Sequence, residues 1–294
     1  MMRLRLFMFF AVALLLLAAG CSKDSPTQTS PGIDYSQHEL VARPEFIDTR
    51  PQAVIDAHVL KPTMEEPGLM LPKPPPPDPG GTTDPNPNPA HKYAYIVGIS
   101  DYEGTANDLN YCDDDAQDMR AYFQSNGFTI QMDVDRNATA DAIIAGLNWL
   151  AAAAAAGDEV AFYYSGHGNK YPEGSSIIST DLYYIPHGYI MNIINSANST
   201  KFFVALDCCK AGSFLADGLA GSYVATASGS TLSYDAPTLQ NGAWTYYFLE
   251  GGGLYTYAEQ IVPYAEAGMK DWAAIYHVRV TPGHTDKYTG YMDI

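Results

Sequence analysis

The chain has 294 residues, with 16 Lys+Arg against 33 Asp+Glu and a formal net charge of −17. That balance argues against a nucleic-acid-binding surface, which needs clustered Lys and Arg to neutralise phosphates. Hydrophobic residues make up 47%, enough for a sizeable core, and four cysteines are too few for a disulfide-dense scaffold.

The first twenty residues read as an address. Arg3 and Arg5 precede an apolar run from Leu6 to Ala19, and small residues then meet Cys21. This is the pattern of an export signal, too short for a spanning helix. Ala18-Ala19-Gly20-Cys21 resembles a bacterial lipoprotein processing box, although Ala18 stands where a Leu is usual and Leu17 is one place further back. The resemblance implies cleavage before Cys21, acylation of that residue, and a lipid anchor on the periplasmic or cell-surface face of a bacterial membrane. An ordinary secretory signal is the alternative. Losing Arg3 and Arg5 takes the formal charge from −17 to −19.

Residues 21–90 read as a Pro-rich tether. More than half of all prolines fall between Pro62 and Pro89. Proline lacks a backbone donor and fixes φ, so this stretch favours extended polyproline II and a semi-rigid stalk. Short apolar patches at Phe46-Ile47 and Ala53-Val54-Ile55 are candidates for docking on the domain that follows, with a wholly unstructured leader as the equal alternative.

From residue 91 to 294 the pattern alternates between strands and helices. A near-continuous apolar run predicts a buried parallel strand at Tyr93–Ile99, and further strands are predicted at Phe128–Met132, Glu159–Ser165, Phe202–Asp207 and Ser222–Ala227. Between them, helices are predicted over Asp113–Asn126, Thr139–Ala156 and Tyr189–Ala197, with glycine stops at Gly127 and Gly157. Two more follow around Thr245–Glu250 and Tyr257–Lys270. The alternation implies an α/β fold, a three-layer α/β/α sandwich on a mostly parallel sheet of about six strands. In such sheets the active site lies in loops at the carboxyl ends of strands.

Two of those ends carry reactive side chains. One strand runs into Ser165-Gly166-His167-Gly168, and the next into Asp207-Cys208-Cys209-Lys210-Ala211-Gly212. A cysteine nucleophile needs a thiolate, and a nearby imidazole supplies the base. The glycines allow sharp turns and let backbone N–H groups approach an oxyanion.

These segments resemble the caspase-like cysteine peptidases, nearest the metacaspase and paracaspase branch, over roughly Tyr93 to Lys270. Leu109–Ala116, with Cys112 three places before Asp115, resembles the family's first-strand loop, and Asn241–Tyr247 its late helix entry. The resemblance implies the caspase–haemoglobinase fold and a thioester-forming peptidase. It makes Cys209 the nucleophile, preferred to Cys208 for its spacing from Asp207 and Gly212, and His167 the general base. The N–H groups of Gly168 and Cys209 would form the oxyanion hole. Asp115 and Asp207 match the acidic lining of the S1 pocket in metacaspases, with Asp235 a third member. Such carboxylates would hold a P1 Arg or Lys by charge-assisted hydrogen bonds. True caspases hold a P1 Asp with arginines, and basic residues are scarce here.

The pattern departs from metacaspases in places. Lys210 stands where they usually carry His, and Ala211 where they usually carry Ser. Between His167 and Cys209 only Glu173 and Asp181 stand in for a calcium-binding acidic cluster, so calcium activation is not expected. Asp133-Val134-Asp135-Arg136-Asn137 lacks the Gly and Glu of a calcium loop and reads as a turn into a helix capped by Thr139. No cofactor or metal is assigned. Cys112 shares the predicted rim with Cys209, so a bridge from it to Cys208 or Cys209 stands against the simpler reading of three free thiols. The leading function is a tethered endopeptidase acting on protein or peptide substrates with a basic P1 residue. A catalytically silent surface binding or scaffold module is the alternative.

Overall fold

The apolar runs become strands, and the segments between them become helices that cover both faces of the resulting sheet. The computed structural model describes residues 41–42, 84–170 and 174–294. The expected signal sequence, Cys21, the apolar patches, the polyproline run and Glu173 lie outside the described residues. Among the described residues no helix is long and apolar enough to cross a membrane.

The central sheet contains β1 (Lys92–Gly98), β2 (Thr129–Val134), β3 (Asp158–Ser165), β7 (Ser199–Asp207), β8 (Ser222–Thr226) and β9 (Gly283–Asp286). Three short strands between β3 and β7 are β4 (Gly168–Lys170), β5 (Ser175–Ile178) and β6 (Tyr183–Pro186). The central order is β9-β8-β7-β3-β1-β2, parallel throughout except for β9, which runs antiparallel to β8. This is the six-stranded, mostly parallel sheet that the pattern implied.

The helices are α1 (Cys112–Ser125), α2 (Ala140–Ala153), α3 (His187–Asn195), α4 (Ala243–Gly252) and α5 (Ala258–Ile275). Alternate strand residues separate the two cores. Ala94, Ile96, Tyr163, Phe203 and Tyr223 pack with α1, α4 and α5. Tyr95, Val97, Phe162, Val204 and Leu206 pack on the other face with α2 and α3. Both faces are covered, which is why these strands lack a polar alternation.

Three local features differ from the sequence reading. The alanine run is not helical to Ala156. Instead α2 stops at Ala153 because Asp158 Oδ2 accepts from Ala155 N at 2.8 Å, drawing that N–H out of the helix ladder. As expected, Thr139 caps the start of α2, accepting from Ala142 N at 3.2 Å. The second difference is an unforeseen antiparallel sheet of β4, β5 and β6, extended by the two-residue strand Val41–Ala42 on β6. The third is β9, a polar edge strand with no apolar pattern to announce it.

At the amino ends of β3 and β7 lies a fully buried ammonium. Lys201 Nζ donates to Asp84 Oδ2 at 2.8 Å, lies 3.2 Å from Glu159 Oε2, and also bonds Asp293. Asp84, just ahead of the domain in sequence, is thereby buried against it.

Candidate active site

The site follows from strand register. Ser165 and Asp207 are direct partners at the ends of the neighbouring strands β3 and β7. His167 and Cys209 each stand two residues further on, so parallel pairing sets them side by side. Both line one small cavity of about 20 Å³, together with Leu109, Cys112, Asp207, Ser233, Tyr234 and Asp235.

His167 is held from three directions. Its N–H donates to Tyr102 OH at 2.7 Å, and the Tyr102 ring lies 4.8 Å from the imidazole, centroid to centroid. Its carbonyl accepts from Tyr164 OH at 2.7 Å. Ring nitrogen Nε2 lies 2.7 Å from the carbonyl oxygen of Asn107. A carbonyl only accepts, so Nε2 carries the proton and Nδ1 is the basic nitrogen of the neutral ring.

The two adjacent cysteines part company. Cys208 is buried in the core on the α2 and α3 side of the sheet, and burial, followed by the charges of Cys209 and Asp207, pushes its thiol well up. Cys209 opens to the cavity, and its Sγ accepts from Ser233 N at 3.3 Å. The chain then turns sharply through Lys210, whose φ of 56° lies in the left-handed region, and Lys210 Nζ donates to Asn169 Oδ1 at 2.9 Å. Gly168 packs directly on this turn: a Cβ there would sit 2.3 Å from the Cys209 carbonyl oxygen and 2.9 Å from Cys208 Sγ. The two expected oxyanion donors thus belong to touching segments. All three cysteines in the described residues are free, so no bridge links Cys112 to Cys208 or Cys209.

The three expected specificity carboxylates converge, but at different depths. Asp207 and Asp235 line the cavity, whereas Asp115 lies fully buried behind it. Asp207 Oδ2 accepts from Thr245 N at 3.1 Å and Thr245 Oγ1 at 2.7 Å, supplying the cap that the amino end of α4 lacks in its own sequence. Its Oδ1 accepts from Ser233 Oγ at 2.5 Å. Asp115 accepts from Ser165 Oγ at 2.7 Å and Gly242 N at 2.8 Å. Burial raises both carboxyls: Asp207 to about 6, and Asp115 well above the usual range, with the charge of Asp207 as the second cause. Asp235 Oδ2 accepts from Asn110 N at 3.1 Å, tying its segment to the loop after β1. Asp113 turns away and accepts from Ser100 Oγ at 2.5 Å. Asp135, in the stretch read as a turn, accepts from Ser100 N and Asp101 N, and Asp181 accepts from Ala140 N.

Several residues of this site carried no sequence signal. Asn107 acts through a main-chain carbonyl, which any residue possesses. Ser233 contributes an N–H as well as its hydroxyl. Tyr102 is one of 22 tyrosines, and only its place in the loop after β1 distinguishes it.

Sandwich architecture, with a histidine and a cysteine at adjacent strand ends above buried carboxylates, defines the class. Residues 91–260 match the family model described as Caspase domain, and the chain belongs to that family. No curated protein matches the chain. Among solved structures it is similar to protein GSU0716 from Geobacter sulfurreducens, at 18% identity over 69% of this chain and 94% of that one, with a TM-score of 0.53. At that identity the likeness speaks for the fold alone.

Proposed function

We propose that the chain is a cysteine endopeptidase that cleaves after Arg or Lys, exported and tethered to a bacterial membrane by a lipid on Cys21. The observation that carries the catalytic part is the shared cavity of His167, Cys209, Asp207 and Asp235. His167 Nδ1 takes the proton from Cys209 Sγ, and the thiolate attacks the scissile carbonyl. The N–H groups of Gly168 and Cys209 hold the oxyanion as the carbon–sulfur bond forms. The imidazolium then gives its proton to the departing amine as the carbon–nitrogen bond breaks. Water, deprotonated by the same nitrogen, hydrolyses the thioester and restores the thiol.

The basic preference rests on charge. Asp207 and Asp235 offer carboxylate oxygens to the cavity with no Lys or Arg among its lining residues. An Arg or Lys side chain supplies the missing positive charge, with donors that match a carboxylate. No metal or cofactor is assigned a role.

The test uses an Arg-directed acyloxymethyl ketone on the purified protein, with the adduct mapped by mass spectrometry. The expected adduct lies on Cys209 and is lost in His167→Ala. No adduct under reducing conditions would overturn the peptidase reading and favour the silent scaffold. An Asp-directed reagent that labels as fast as the Arg-directed one would overturn the pocket assignment alone. For the tether, palmitate labelling is expected in the parent and lost in Cys21→Ala; unchanged labelling would remove the lipid anchor.

A further inference from the structure

Ser233 touches two working parts of the site at once. Its hydroxyl donates to Asp207 Oδ1 at 2.5 Å, while its own N–H points at Cys209 Sγ from 3.3 Å. Its carbonyl oxygen lies 3.9 Å from the same sulfur. The residue is nearly buried, at 8% exposure, so neither contact is shared freely with solvent.

The two sulfur contacts are unequal. A thiol donates, and the Ser233 carbonyl oxygen is a remote acceptor for it. A thiolate accepts, and its donor here is close. The Ser233 peptide therefore offers more to the thiolate than to the thiol, and a charge-assisted bond gains further in a buried site. The segment's orientation is fixed on both sides. Lys210 N donates to Thr231 O at 2.9 Å, and Ala243 N donates to Tyr234 O at 2.9 Å. Within that frame, the bond from Ser233 Oγ to Asp207 anchors the residue carrying the N–H.

We infer that Ser233 is a positioning residue that couples recognition of the P1 side chain to activation of the nucleophile. A cation docking on Asp207 stabilises its ionised form, which accepts the Ser233 hydroxyl most strongly. That hold keeps the Ser233 N–H aimed at Cys209 Sγ and favours the thiolate before the scissile bond arrives. The other titratable groups lining the cavity are His167, Tyr234, Asp235 and Cys112, with Cys208 adjacent in the chain and Asp115 behind Asp207. The inference deepens the peptidase reading and rests on it.

The experiment measures alkylation of Cys209 by iodoacetamide against pH in the full-length protein, with and without methylguanidinium as a P1 mimic that has no scissile bond. The alkylation midpoint of Ser233→Ala is expected to rise by about one pH unit, about a tenfold slower reaction at any pH below it. Methylguanidinium should accelerate the parent severalfold and leave Ser233→Ala unchanged. Ser233→Thr keeps the hydroxyl and should follow the parent in both respects. If Ser233→Ala fails to fold, Ser233→Gly carries the same comparison, since it keeps the N–H and lacks the hydroxyl. An unchanged or lowered midpoint, or a Thr variant that behaves like Ala, would overturn the inference. A merely structural role would lower yield or stability without moving the midpoint. The peptidase reading fails separately, through the absence of an Arg-directed adduct in the parent.

Discussion

In the proposed function Asp207 both recognises a cation and lives inside the protein, and the two demands oppose each other. Its carboxyl is raised by burial from an ordinary 3.8 to about 6. An unfolded Asp titrates near 4, so between about pH 4 and 6 the folded chain keeps a proton that the unfolded chain has released. Stability therefore falls as pH rises through that window, and the loss is complete above about pH 6. The rise corresponds to about 3 kcal/mol. Asp207→Asn abolishes the titration while Asn Oδ1 can still accept from Thr245. Urea unfolding followed at several pH values should show the variant gaining about 3 kcal/mol over the parent between pH 4 and pH 8. Relief of Asp115, which the Asp207 charge pushes up, acts in the same direction. The same variant should lose about 10²-fold in kcat/KM for an Arg substrate, as expected for one charge-assisted bond of about 3 kcal/mol. A stability difference that stays flat with pH would refute the assignment of a buried, ionised Asp207. A stabilised variant with intact Arg cleavage would refute its role in recognition.

Three further outcomes follow from named contacts. Tyr102→Phe leaves the His167 N–H without its 2.7 Å acceptor, so unfolding should cost about 1–3 kcal/mol less and kcat should fall about tenfold with little change in KM; unchanged kcat would remove Tyr102 from the support of the histidine. Gly242→Ala would place a Cβ 2.5 Å from Asp207 Oδ2 and 2.8 Å from Asp115 Oδ2. It should destabilise the protein by about 1–3 kcal/mol and impair Arg cleavage together, and a silent variant in both assays would contradict the packing. Asp84→Ala withdraws one carboxylate from the buried Lys201, and denaturant unfolding should read a loss of about 3 kcal/mol with kcat intact, because Lys201 lies at the opposite ends of the strands from Cys209; a loss below about 1 kcal/mol would argue that Asp84 is dispensable to the domain.

What could be read in the sequence was whatever depends on side-chain identity in a run. Tyr93–Ile99 and Phe202–Leu206 are apolar on both faces because both faces are covered, so their strand character survives without knowledge of partners. The segment Gly168–Pro186 was missed for the opposite reason. It contains glycine, serine, proline and tyrosine in no clear period, and its ladder exists because β4, β5 and β6 find one another across the chain. The strand β9 has a polar sequence, Gly283-His284-Thr285-Asp286, and is fixed by pairing with β8. The alanines after Ala153 have the highest helix propensity in the chain, yet one carboxylate on Asp158 ends the helix.

The site divides along the same line. The candidates His167, Cys209, Asp115 and Asp207 are named for their side chains, the first two by type and position at strand ends and the two carboxylates through the resemblance to metacaspases. The tautomer of His167 is set by the carbonyl of Asn107, and the sulfur of Cys209 is met by the N–H of Ser233. Main-chain groups leave no mark in a sequence, because every residue except proline carries both. The parallel pairing of Ser165 with Asp207 joins these two layers. It places side chains nominated by type beside main-chain partners that only the fold could supply, and it does so at the ends of strands, where backbone groups are no longer used up in the ladder. The candidate site therefore sits where ladder hydrogen bonding stops, and its surroundings are built by loops that the sequence describes least well.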